Sequence, residues 1–320
     1  MIEVKHLTKR YGDQLAVTDL SFTIEKGQVY GFLGPNGAGK STTMNIITGC
    51  LAPTSGEVRI GGHDILAQPM DAKKLIGYLP EQPPLYRDRT PREYLTFVAE
   101  AKGIPGKQVA QEVGRVMKLT NITDVADRLI QNLSKGYKQR VGIAQALLGN
   151  PEVIILDEPT VGLDPRQMIE IRELIKTLGK QHTVILSSHI LSEVQAVCTQ
   201  VMIISKGKLM ACESPENLEK KFAGTTAVEM IVEATEAEIR ELLGSMQNVA
   251  KLEVRQQADN TRRVKLEMNV PASNDICREI FFIFSRANKA ILQMTMTRAS
   301  LEDIFLELTG KVSKKGGKKR

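Results

Sequence analysis

The sequence predicts an α/β fold: a largely parallel sheet wrapped by helices, followed by a smaller α+β module. Three observations carry that expectation. The glycine-rich stretch GPNGAGKST, Gly34–Thr42, stands between an apolar run (QVYGFL) and a helical one. A second apolar run, VIILDEPT (Val153–Thr160), ends in two carboxylates and reads as a strand buried in a parallel sheet. Beyond about Gly224 the pattern changes to a regular alternation of strands and helices.

Taken in order, Met1–Lys5 reads as an edge strand, and residues 1–82 as strands, the glycine-rich loop, a helix, and a hairpin at Gly56–Ile60 turning on Gly61-Gly62. Thr90, Pro91 and Glu93 together mark a helix start, opening a helical region over about residues 83–150. Residues 151–205 return to strand–helix–strand order, and a hairpin turns at Lys206-Gly207. Residues 1–222 thus form one domain. Residues 225–310 form a second with the order βαββαβ, as in a ferredoxin-like module, plus a last helix capped by Ser300 with Asp303.

The glycine-rich loop fits G-x-x-x-x-G-K-[ST]. Gly34, Pro35, Asn36, Gly37, Ala38, Gly39, Lys40, Ser41 and Thr42 line a nucleotide's phosphates in this reading. Glycines let backbone N–H groups face the anion, and the following helix N-terminus favours negative charge. Lys40 reaches the terminal phosphates, and the Ser41 hydroxyl holds Mg²⁺. At the end of the second apolar run Asp157 holds the same ion through water, and Glu158 polarises an attacking water.

Five further motifs follow in a characteristic order: Tyr11 in TKRYGD, Gln82 in GYLPEQPPLY, LSKGYKQR with Ser134 and Gly136, VGLDP with Asp164, and VILSSHI with His189. Over residues 1–220 the chain resembles the ATP-binding cassette (ABC) ATPases, members of the P-loop NTPase class. The resemblance implies a RecA-like core plus a helical subdomain that ends in the signature LSKGYKQR. Tyr11 would stack on adenine. Gln82 would sense the γ-phosphate and contact Mg²⁺, and His189 would act as the switch histidine. Ser134 and Gly136 would meet the γ-phosphate of ATP bound to a second subunit, and Asp164 would communicate across that interface. Two departures stand in the signature, Lys135 and Tyr137; Lys135 either adds charge near ATP or points to solvent. The ending SLEDIFLELTG is similar to that of exporter ATPases working with a separate membrane subunit. The function implied is the ATP-hydrolysing subunit of an exporter, paired with a permease and with a second copy of itself or a related ATPase. An importer ATPase, or a non-transport translation or DNA-repair ATPase, remains open.

Composition agrees with a globular protein: 42% hydrophobic and 25% charged residues over 320 positions. No stretch reaches the ~18 apolar residues that cross a bilayer, and no signal peptide opens the chain, so the expectation is a cytoplasmic protein peripheral to the inner face of the membrane. The net charge of +6 sits in the last ten residues, KVSKKGGKKR; without their six basic side chains, 37 basic residues face 37 acidic ones. That points away from nucleic acid and toward a disordered tail over 311–320, which either aids membrane association or is a solvated end with no role. Cys50, Cys198, Cys212 and Cys277 have no metal-binding spacing, and His6, His63 and His182 read as surface residues.

Overall fold

The computed structural model describes residues 1–222, 226–244, 246–258, 260–268, 274–298, 305 and 308–310. The chain divides into two compact units, Met1–Ser214 and Pro215–Arg320. In the first, β1 (Ile2–Tyr11), β2 (Gln14–Ile24) and β3 (Val29–Leu33) lead into α1 (Lys40–Ile47). Next come β4 (Ser55–Ile60), β5 (His63–Asp64), α2 (Pro69–Lys74) and β6 (Ile76–Leu79). Three helices follow: α3 (Pro91–Ala101), α4 (Gly106–Leu119) and α5 (Lys135–Leu147). The unit closes with β7 (Val153–Leu156), α6 (Pro165–Leu178), β8 (Thr183–Ser188), α7 (Leu191–Val197), β9 (Gln200–Ser205) and β10 (Lys208–Glu213).

Two sheets organise this unit. An antiparallel sheet runs β2-β1-β4-β5, and a six-stranded sheet runs β10-β9-β3-β8-β7-β6. The latter is parallel except where β10 folds back on β9. Every residue of β3, β7 and β8 is buried, as strands covered on both faces must be. One core joins Leu7, Leu20 and Ile60 of the antiparallel sheet to Met44, Ile46 and Ile47 of α1 and to Ile155 and Ile185 of the parallel sheet. Phe22 and Phe32 meet edge to face across it, ring centroids 5.4 Å apart. The opening strand is not an edge: Ile2 pairs with Ile24 of β2 on one side and with Ile60 of β4 on the other. Alternation of apolar residues reports which face a strand buries and says nothing about whether its edges are paired.

The helical stretch starts where the sequence places it. Thr90 accepts from the Glu93 N–H, and the Glu93 side chain accepts from the Thr90 N–H at 2.9 Å, a closed capping box. Lys102, just past α3, donates to the carbonyls of Gln145 (3.1 Å) and Leu148 (2.9 Å), so its ammonium neutralises the carboxyl end of α5. Gly77 of β6 permits close approach of that same helix, since a Cβ there would stand 2.1 Å from the Ala146 carbonyl oxygen. His182 is buried rather than at the surface, with Nδ1 2.7 Å from the Pro151 carbonyl oxygen. The strand β8 begins one residue later and draws it inside.

The second unit holds α8 (Pro215–Phe222), β11 (Thr226–Val232), α9 (Glu236–Gly244), β12 (Val249–Ala258), β13 (Thr261–Met268), α10 (Asn274–Arg286) and β14 (Ile291–Arg298). Its sheet runs β12-β13-β11-β14 with every neighbouring pair antiparallel. That is the split βαβ, ferredoxin-like topology. Its core brings together Ile239 and Leu243 of α9, Ile280 and Phe284 of α10, and Val228, Met230, Val264 and Leu266 of the sheet. The Ser300–Asp303 cap expected for a last helix and the basic tail 311–320 lie outside the described residues, although Phe305 and Leu308 are helical. Among the described residues no helix is long and apolar enough to cross a membrane.

The four cysteines are free, and burial raises the Cys198 thiol well above its ordinary pKa while Cys50 is exposed. A maleimide probe at neutral pH is expected to label Cys50 quickly and Cys198 only on unfolding. Labelling of Cys198 at the rate of Cys50 in the native protein, read by peptide mass spectrometry, would contradict this packing.

Candidate active site

The carboxyl ends of β3, β8 and β7 lie side by side in the parallel sheet, and the loops leaving them build one site. The Gly34–Thr42 loop joins β3 to α1. Gly37 and Gly39 have φ of 77° and 104°, in the left-handed region. A Cβ on Gly39 would stand 2.7 Å from the Ala16 carbonyl oxygen, and one on Gly34 2.4 Å from that of Ile204. No side chain caps α1, so its first N–H groups stay free to take an anion. Lys40 is buried, 6% exposed, and its ammonium donates to the Gly34 carbonyl at 2.8 Å.

That ammonium also lies 3.6 Å from Oε1 of Glu158, whose side chain is equally buried. Glu158 follows β7 with φ of 48°, an unusual backbone for a residue with a side chain. Ser187 of β8 accepts its N–H at 2.9 Å and donates to Asp157 Oδ1. Asp157 is 3% exposed and its Oδ1 lies 3.4 Å from the Ser41 hydroxyl. Oε2 of Glu158 is 2.9 Å from Nδ1 of His189, the residue just past β8. One small volume therefore contains a cation, two carboxylates, two hydroxyls and an imidazole. The hydroxyl and carboxylate oxygens of Ser41 and Asp157 form a hard donor set of the kind that suits Mg²⁺.

Other residues expected at the site stand apart from this cluster. Tyr11 is half-exposed at the end of β1, with the Lys9 ammonium 5.2 Å from its ring centroid. Gln82 is exposed on the loop after β6 and has no hydrogen-bond partner among the described residues. Ser134 caps α5, accepting from the Tyr137 N–H. A Cβ on Gly136 would stand 2.7 Å from the Gln167 side chain. Ser134 and Gly136 line a 740 Å³ cavity together with Tyr137, Arg140 and Gln167 and with no residue of the phosphate loop. Lys135 lies over Gly162 of VGLDP, its Nζ 2.1 Å from where a Cβ on that glycine would be, and Asp164 caps α6 by accepting from the Gln167 N–H at 2.9 Å. The signature thus packs against the segment that follows Glu158.

Residues 17–161 match the family model for the ABC transporter. Along nearly the whole chain it is 36% identical to the bacitracin transport ATP-binding protein BcrA of Bacillus licheniformis, covering 97% of each. The chain belongs to the ABC transporter ATP-binding proteins. The linearmycin resistance ATP-binding protein LnrL of Bacillus subtilis is 30% identical, with 97% of this chain and 99% of that one covered. Among solved structures, the ATP-binding subunit of an ABC transporter superposes with a TM-score of 0.63 at 30% identity, covering 69% of this chain and 93% of its own. A dimeric cassette in a post-hydrolysis state bound to ADP and Pi gives 0.61 at 27% identity, with 67% and 98% covered. This ABC cassette is accordingly an ATP-binding and ATP-hydrolysing transporter subunit, and the alignments with BcrA and LnrL extend over 97% of it.

Sequence reasoning passed over Ser187, which grips both Asp157 and the Glu158 backbone. The signal was present: two hydroxyl residues end an otherwise apolar strand just before His189. Replacing Lys40 with Ala is expected to cost about 2 kcal/mol of nucleotide affinity, roughly thirtyfold, because a charge-assisted contact to phosphate is lost. Titration with a fluorescent ATP analogue reads it, and wild-type affinity would contradict phosphate binding at this loop.

Proposed function

We propose that the chain powers an exporter, that two cassettes enclose two ATP molecules between them, and that hydrolysis separates them. The observation that carries this reading is the separation of Lys40 from Ser134 and Gly136: no cavity residue beside the signature comes from the phosphate loop. A half-site of each kind on one chain is completed by a partner related by two-fold symmetry. The names of the full-length relatives, a resistance protein and a bacitracin transport protein, support export as the direction.

In this mechanism the N–H groups of Gly34–Thr42 and the Lys40 ammonium bind the ATP phosphates, and Tyr11 stacks on the base. Ser41 and Asp157, with Gln82, would hold Mg²⁺, which neutralises phosphate charge when bound. Glu158 accepts the proton of, or orients, the attacking water. His189 Nδ1 holds the other Glu158 oxygen and places the imidazole at the rim of the site. Ser134 and Gly136 of the partner subunit close the pocket, and Asp164 lies on the connection between the two.

A membrane-spanning permease is the second partner. Tyr86 and Phe97, both about half-exposed with ring centroids 5.4 Å apart, form an aromatic patch close behind the Gln82 loop. Such a patch suits an inserted permease segment, whose docking would report on Gln82. The cassette would then sit at the inner face of the membrane.

Replacing Glu158 with Gln keeps the shape and removes the charge that polarises water. Turnover should fall about 10²–10⁴-fold while ATP stays bound, and with Mg²⁺-ATP a dimer should persist on gel filtration. Hydrolysis within a few-fold of wild type would remove Glu158 from this role.

A further inference from the structure

Behind the catalytic cluster lies a third buried carboxylate, to which the proposed reaction gives no part. Glu193 in the first turn of α7 is 4% exposed. Its Oε2 accepts from the Thr160 hydroxyl at 2.7 Å and from the Ser188 hydroxyl at 2.8 Å. Thr160 stands two residues after Glu158, and Ser188 directly before His189. One carboxylate oxygen therefore ties together the segments leaving β7 and β8, the two that carry Glu158 and His189. Both hydroxyls are buried.

The other oxygen faces α6. Oε1 of Glu193 has no hydrogen-bond partner, nor has Nε of Arg172, and the Arg172 Nη2 stands 3.9 Å from Oε1. Arg172 is thus a nearby counter-charge that compensates the buried anion without bonding it. Glu158 needs outside support, because a left-handed φ at a residue with a side chain persists only where its surroundings over-determine it. Ser187 grips its N–H from one side. The Thr160–Glu193–Ser188 bridge fixes the segment on the other side.

We propose that Glu193 is a positioning residue for ATP hydrolysis: by bridging Thr160 and Ser188 it holds Glu158 and His189 in their mutual geometry. This rests on the roles given to Glu158 and His189 above. A carboxylate is suited to the task because a single oxygen can accept two hydroxyls. Glutamine can do the same with its carbonyl oxygen, whereas alanine leaves the Thr160 hydroxyl unpaired in a dry site and leaves Ser188 only its contacts with Ile190.

The test is single-turnover hydrolysis of pre-bound ATP by the full chain, started with Mg²⁺, with nucleotide occupancy measured separately. Glu193→Ala is expected to slow the step on the order of 10- to 100-fold, since small displacements of catalytic groups have effects of that size. ATP affinity should stay within roughly twofold, and Glu193→Gln should recover the rate to within about threefold of wild type. A role in stability alone would lower the amount of folded protein and leave the rate per bound ATP unchanged; that outcome overturns the proposal. So does equal loss in Glu193→Gln and Glu193→Ala. Should the alanine variant not fold, Thr160→Val removes one arm of the bridge and should show a smaller loss of the same kind, and a wild-type rate there also overturns it. Glu158→Gln run alongside separates the two readings. Full activity in that variant brings down the assigned roles, whereas its inactivity beside a fast Glu193→Ala brings down the positioning claim alone.

Discussion

Lys40 and Glu158 face each other at 3.6 Å with both side chains almost closed to solvent, and much of the first unit is arranged around that pair. Two charges cannot be withdrawn from water unless each is compensated, and removing one partner of such a pair typically costs about 3–5 kcal/mol. Here compensation is distributed. Lys40 also donates to its own loop at Gly34, and Glu158 also meets His189. The same cation is the natural partner of an incoming phosphate, so ATP binding and the ion pair draw on one group. A site of this kind is poised: the lysine that holds the carboxylate in place is the lysine we propose to engage the nucleotide.

The scaffold keeps this arrangement by using the ends of completely buried strands. Three strands with no exposed residue, β3, β7 and β8, run parallel, with Leu33 beside Ser188 and Leu156 beside Leu186, so that β7 ends two residues before β8. The loops that follow have little freedom in where they start. Short polar side chains then complete the positioning: Ser187 for Asp157 and the Glu158 backbone, Glu193 for Thr160 and Ser188. In dry surroundings such hydrogen bonds are strong when made and expensive when missing, which favours one geometry over its neighbours.

The signature segment is held by different means and in a different place. Ser134 caps α5, Tyr137 donates to Asp124 at 2.6 Å, and Lys135 lies over Gly162. The hydroxyl that would meet a partner's nucleotide thus sits on a rigid helix start that also touches the segment following Glu158. The second unit has a separate core of its own, built from α9, α10 and an antiparallel sheet.

Much of this was legible in the residue order. Gly34, Gly39, Lys40 and Ser41 at fixed spacing, and Asp157-Glu158 at the end of an apolar run, are local patterns whose chemistry follows from the residues themselves. The Thr90–Glu93 cap and the βαββαβ order of the second unit are equally local, since periodicity and capping depend on neighbours within a few positions. What the sequence could not contain was adjacency between distant segments. It did not show β1 paired on both edges, His182 drawn inside against Pro151, Ser187 joined to Asp157, or Glu193 bridging Thr160 and Ser188. Sheet order decides these contacts, because strands far apart in the chain become neighbours only when the apolar surface of the whole unit is buried together. The residue types determined which chemistry this protein can perform; tertiary packing decided which side chains hold that chemistry in place.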